Sequence, residues 1–162
     1  MDMRWSLEEL YPSFKSEKFK SDLAKVDNLI EKINSWTEEN LNNKDISQIE
    51  EFLKMAEEFQ KTYSLLMTFA SLQQSVDAEN KTASEKIEEL ENKYTNITVS
   101  YVKFQKWLGQ LDNLDQIIEE TDSKLIKEHE FYLKEMAEKS KYLLSDKEEY
   151  VMARMSNTGS KA

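Results

Sequence analysis

The chain has 162 residues, and its two glycines and one proline are too few for the many tight turns of β-sandwiches, β-barrels and doubly wound α/β folds. With no cysteine and a single histidine, His129, the chain excludes disulfides, thiol nucleophiles and any zinc site built on several of its own imidazoles. A formal net charge of -10 makes nucleic acid and anionic membranes poor partners.

A helical turn and a first helix are predicted at the start of the chain. Ser6 and Glu9 have the Ser-x-x-Glu spacing of a capping box, and the turn over residues 6–11 ends at Pro12. Apolar residues spaced by three and four then predict a helix over residues 17–36. Its apolar stripe consists of Phe19, Leu23, Val26, Ile30 and Ile33.

The second predicted helix covers residues 48–74. A second capping box, Ser47 to Glu50, marks its start, and apolar residues recur along it from Ile49 to Ala70. Residues 63–72 are apolar nearly all round. Because a helix that is apolar on every side is buried on every side, this half is predicted to be central.

The third predicted helix covers residues 83–111 and follows a capping box from Thr82 to Glu85. Its apolar residues alternate spacings of four and three, a seven-residue period that favours a long antiparallel partner at a shallow crossing angle. The stripe is Ala83, Ile87, Leu90, Tyr94, Ile97, Tyr101, Phe104, Leu108 and Leu111. The second helix is the natural partner, reached through the polar loop 77–81.

Shorter helices are predicted in the last third. Leu114, Ile117 and Ile118 indicate a short helix, a further helix is expected over residues 124–139, and a last one over residues 146–156. The last helix begins at the capping box Ser145 to Glu148 and stops before Gly159. The predicted fold class is all-α: one domain over residues 1–162, a bundle of about four to five helices with two long central antiparallel helices.

Neighbouring glutamates are the first candidates for chemistry. Paired carboxylates serve acid–base catalysis or bind metals. Lysines lie three or four residues from many of them, however, as on solvated helix faces, and solvation is the preferred interpretation. The pairs are Glu8/Glu9, Glu38/Glu39, Glu50/Glu51, Glu57/Glu58 and Glu88/Glu89.

His129 and Glu130 begin like the zinc-protease motif His-Glu-x-x-His, but Leu133 stands where the second histidine would be. His129 is therefore predicted to pack along the helix stripe Leu125, His129, Tyr132 and Met136 with one ring nitrogen hydrogen-bonded. No catalytic residue and no metal ligand is predicted in this chain, and the sequence assigns no substrate-binding residue.

Several strings resemble the N-terminal domain of oligoendopeptidase F, in the thimet-oligopeptidase-like family of zinc metallopeptidases. The opening string, residues 5–12, has the pattern Trp-x-Leu-x-x-Leu-Tyr-Pro, although Ser6 stands where the family commonly has Asp. Further similar strings follow in the same order at residues 69–72 with 75–77, at 131–133, at 144–149 and at 156–159.

The resemblance implies that the chain is an N-terminal fragment, because the zinc motif of such enzymes lies far downstream of the matching strings. In these enzymes the N-terminal helices form one wall of a deep channel that admits short peptides. Zinc is thus expected in the parent and not in this chain. The implied partners are the catalytic domain of the same parent, short peptide substrates in the parent, and a second copy of the fragment in a homodimer.

Two other functions stay open at the level of sequence. One is a freestanding adaptor that binds a partner helix in a groove between the second and third predicted helices. The other is a metal-binding four-helix bundle. The sequence has no signal peptide at its start and no uncharged stretch long enough to span a bilayer, and so a cytoplasmic location is expected.

Overall fold

The computed structural model of the chain describes residues 10–42 and 45–143. These residues form helices and turns without any strand, which confirms the predicted all-α class. The helices, in chain order, are α1 (Glu17–Asn40), α2 (Ser47–Val76), α3 (Lys81–Gly109), α4 (Leu114–Glu120), α5 (Lys124–Glu128) and α6 (Glu130–Ser140). The predicted helix over 146–156 and most of the predicted turn over 6–11, with their capping boxes, lie outside the described residues.

Three helices begin at a polar side chain that accepts a hydrogen bond from a free backbone N–H of the first turn. The Ser16 hydroxyl accepts from the Phe19 N–H at 3.2 Å and so starts α1. The Asn80 side chain accepts from the Ala83 N–H at 3.0 Å, and the Ser123 hydroxyl starts α5 in the same way.

The capping boxes predicted at Ser47 and Thr82 are wrong. Ser47 is already the first residue of α2, and its N–H donates to Asp45 Oδ1 at 3.0 Å. Thr82 lies inside the first turn of α3, which is capped two residues earlier by Asn80. In both places an Asp or Asn just ahead of the Ser-x-x-Glu string accepts a hydrogen bond from a nearby backbone N–H. At α3 this residue, Asn80, is the N-cap, whereas the N-cap of α2 is Ile46 and makes no side-chain cap bond.

The three long helices pack against one another around a shared aromatic core. Phe52 of α2 and Phe104 of α3 are stacked, with ring centroids 3.7 Å apart and an interplanar angle of 10°. Farther along, Phe59 of α2 contacts Tyr94 of α3, and near the loop Gln74 donates to Ser84. Later residues of α2 thus meet earlier residues of α3.

A buried polar cluster joins α1 to α3. The Thr37 and Ser100 hydroxyls lie 3.1 Å apart and are both buried, and the Ser100 hydroxyl donates to Asn34 Oδ1. The Asn34 amide also donates to the Asn96 carbonyl at 3.3 Å. Because a buried hydroxyl without a partner is costly, sliding α1 along α3 would break several bonds together.

Tyr11 anchors the segment ahead of α1. Its ring is 1% exposed and meets Phe19 and Phe69 edge to face, at centroid distances of 5.2 and 5.3 Å. Its hydroxyl donates to Asp22 Oδ2 at 2.7 Å. Tyr11 of the opening string therefore attaches the N-terminal segment to α1 and α2 by packing.

The helix predicted over 124–139 forms with one interruption, because it is divided at His129 into α5 and α6. The turn changes which side chains face inward: Ile126, Leu133 and Met136 are buried, whereas Tyr132 of the predicted stripe is 46% exposed. The physical reason is that α5 packs on α2 while α6 packs on α3.

Gly109 permits the close approach of α6 to the end of α3. A Cβ at this position would lie 1.8 Å from Ser140 Oγ and 2.8 Å from Ser140 Cβ. One turn earlier, the Gln105 amide donates to the Met136 carbonyl at 3.0 Å. Since residues 105 and 109 of α3 meet residues 136 and 140 of α6, the two helices run in the same direction.

Replacing Tyr11 with Phe removes the hydroxyl that donates to Asp22 and leaves the ring packing in place. We expect Tyr11→Phe to lower the free energy of unfolding by about 1–3 kcal/mol, because the acceptor is a carboxylate. Urea unfolding followed by circular dichroism measures the change. Tyr142→Phe is the matched control, since Tyr142 is 80% exposed, and equal stabilities of the two variants would contradict the anchoring role.

Gly109→Ala tests the contact between α3 and α6. In an unobstructed helix this change stabilises by about 0.5–1 kcal/mol, so a loss of stability reports the collision with Ser140. We expect Gly109→Ala to destabilise by about 1–3 kcal/mol, and the double variant Gly109→Ala/Ser140→Gly to recover much of that loss. Stabilisation by Gly109→Ala alone would show that the helices do not approach so closely.

Candidate functional site

A groove of about 890 Å³ lies along α2 and α3, and the segment at α6 adds His129, Tyr132 and Met136 to its lining. We call it the α2–α3 groove. Its floor contains apolar and aromatic side chains, and hydroxyl and amide groups line its sides, a mixture typical of binding sites. The lining residues used below are Glu57, Lys61, Ser64, Tyr94, Thr98, Tyr101, Gln105, His129, Tyr132 and Met136.

The groove exists because the C-terminal half of α2 is covered on one side only. Residues 63–72 were predicted to be buried all round, and this prediction is wrong: Leu66, Phe69 and Ala70 are buried, but Leu65 is 37% exposed. The helices α5 and α6 cover the other end of α2 and α3, near Leu53 and Gln105.

Two tyrosines on the walls of the groove are more exposed than aromatic side chains usually are in a folded core. Tyr94 of α3 is 38% exposed and Tyr132 of α6 is 46% exposed. Burial nevertheless raises the pKa of the Tyr132 hydroxyl, with a smaller contribution from Tyr94. The two rings therefore offer apolar surface that an occupant of the groove would cover.

The Tyr101 hydroxyl is a buried donor on the floor of the groove. It has no hydrogen-bond partner at bonding distance among the described residues. Burial raises the pKa of Tyr101 to about 12, while the nearby Gln60 side chain acts in the opposite direction. An unpartnered buried hydroxyl is costly, so a bound group that accepts from Tyr101 would relieve an existing penalty.

The paired glutamates do not converge on a site. Within the described residues, three of them make ion pairs with lysines at N–O distances of 3.1 Å: Glu50 with Lys54, Glu58 with Lys25 and Glu89 with Lys86. The hydrogen bond from Lys54 lowers the pKa of Glu50, with a smaller contribution from Ser123. Glu57 differs from these because it lies on the rim of the α2–α3 groove, near Lys61.

His129 lies at the turn between α5 and α6 and contributes to the wall of the groove. Its Nδ1 is 2.9 Å from the Leu125 carbonyl, in agreement with the predicted hydrogen bond to one ring nitrogen. Leu133, at the position of the missing second histidine, is fully buried. Among the described residues the structure thus brings no second ligand to His129, and its ring serves as a polar part of the wall.

A zinc site does not fit the described part of the chain. In residues 10–42 and 45–143, no three side chains among His, Asp and Glu are arranged to hold a metal ion. None of the helices described there is long and apolar enough to cross a membrane.

Sequence reasoning proposed a groove between the second and third helices but did not identify the side chains that line it. Ser64, Thr98 and Gln105 carry no recognisable motif. The sequence feature that indicated the groove was the surplus of apolar residues in 63–72, which exceeds what one packing face of a helix requires.

Comparison with known protein families gives one match. The family model described as oligopeptidase F, which represents an N-terminal domain of peptidases, matches residues 111–162. This finding confirms the similarity to the N-terminal domain of oligoendopeptidase F in that range, which begins just after α3 and includes α4, α5 and α6. Neither the curated proteins nor the solved structures give a match.

The raised pKa of Tyr101 predicts a loss of stability at alkaline pH. The pKa of this hydroxyl is about 10 in the unfolded chain, and burial raises it to about 12 in the folded chain. The stability that the raised pKa of Tyr101 contributes is therefore complete below about pH 10, and it is lost as the pH rises to about 12.

We expect Tyr101→Phe to reduce the dependence of stability on pH in this window, by up to about 1.4 kcal/mol per pH unit. Urea unfolding at several pH values between about 9 and 12 measures it. Tyr142→Phe, at an exposed position, controls for the general effect of losing a phenol. An unchanged pH dependence in Tyr101→Phe would contradict the burial of this hydroxyl.

Proposed function

We propose that this chain is the N-terminal helical domain of a zinc metallopeptidase of the oligoendopeptidase F type, which hydrolyses short peptides. The observation that supports this most directly is the family match over residues 111–162. Three of the family-like strings, at 131–133, 144–149 and 156–159, lie inside the matched range. The strings at 5–12 and 69–72 lie outside it and extend the similarity toward the N-terminus.

In this proposal residues 1–162 are one domain that forms a wall of the peptide channel, with α2 and α3 as its two long central antiparallel helices. The order of contacts, Phe52 with Phe104 and Gln74 with Ser84, supports that arrangement. The catalytic zinc and the catalytic residues belong to the rest of the parent protein, because this chain has one histidine and no cysteine. The parent is proposed to act in the cytoplasm.

A second candidate function is a helical adaptor that binds a partner helix in the α2–α3 groove. The observation that favours it is the groove itself, with the rings of Tyr94 and Tyr132 partly open to solvent on its walls. Amphipathic helices commonly bind in such apolar grooves between helices.

The reading frame that encodes the chain distinguishes the two candidates. For a peptidase domain we expect coding sequence beyond Ala162 that reaches a His-Glu-x-x-His motif, and a full-length product that cleaves short fluorogenic peptides and loses activity with a chelator. The isolated chain should cleave none of these peptides. A stop codon directly after Ala162, or zinc-independent cleavage by the isolated chain, would overturn the peptidase proposal.

We also propose that the isolated chain forms a homodimer. Several apolar side chains are exposed: Phe131 of α6 and Tyr142, which follows α6, are each 80% accessible, and Val99 of α3 is 59% accessible. Burying such side chains favours association, whereas a charge of -10 on each copy opposes it.

We therefore expect weak dimerisation at high micromolar concentration that strengthens from low to moderate salt, because salt screens the repulsion. Sedimentation velocity at several salt concentrations measures it. Phe131→Ser should reduce dimerisation by about tenfold, while Val76→Ser, at the end of α2, serves as the control for losing an exposed apolar side chain. A dimer that weakens as salt is added would contradict this explanation.

A further inference from the structure

We draw no further inference here: the strongest candidate, the α2–α3 groove with the partly exposed rings of Tyr94 and Tyr132 on its walls, carries none because nothing in residues 10–42 and 45–143 shows what covers it.

Discussion

The stacked rings of Phe52 and Phe104 determine how α2 and α3 lie against each other, and much of the structure depends on that alignment. Tyr101 meets the Phe52 ring edge to face, and Trp107 stacks on Phe104, so these contacts extend from the same pair. This aromatic cluster fills the space between α2 and α3 at the end of the helix pair that α5 and α6 contact. The α2–α3 groove borders this cluster, and Tyr101 belongs both to the cluster and to the lining of the groove.

The helices were predictable because their apolar residues repeat with the period of a helix over many turns. In α1 and α3 nearly every residue of the predicted stripe is at least partly buried. The helix starts were less predictable, since Asp45 and Asn80 compete locally with the Ser-x-x-Glu strings that follow them. The turn at His129 was not predictable, because it arises from the separate contacts of α5 with α2 and of α6 with α3. Such tertiary contacts leave no periodic signal in the local sequence.

The site was predictable in location but not in composition. A groove between the second and third helices followed from their length and from the apolar surplus in residues 63–72. Which side chains of α6 line the groove depends on how α6 lies against α3, and that close approach depends on Gly109, whose missing Cβ gives no pattern in the sequence. The roles of Ser64 and Thr98 also follow only from the packing, since isolated hydroxyl residues on a helix carry no motif.

The attachment of Tyr11 has a consequence for the order of folding. Its contact with Phe69 joins parts of the chain far apart in sequence, whereas α2 and α3 are joined by a short loop and can pair early. We therefore expect the N-terminal segment to close late, over α2 and α3 that have already paired. Segments near a terminus also open at lower free energy than core helices do. We expect backbone amides around Tyr11 to exchange hydrogen faster than those beside Phe52, although both rings are buried.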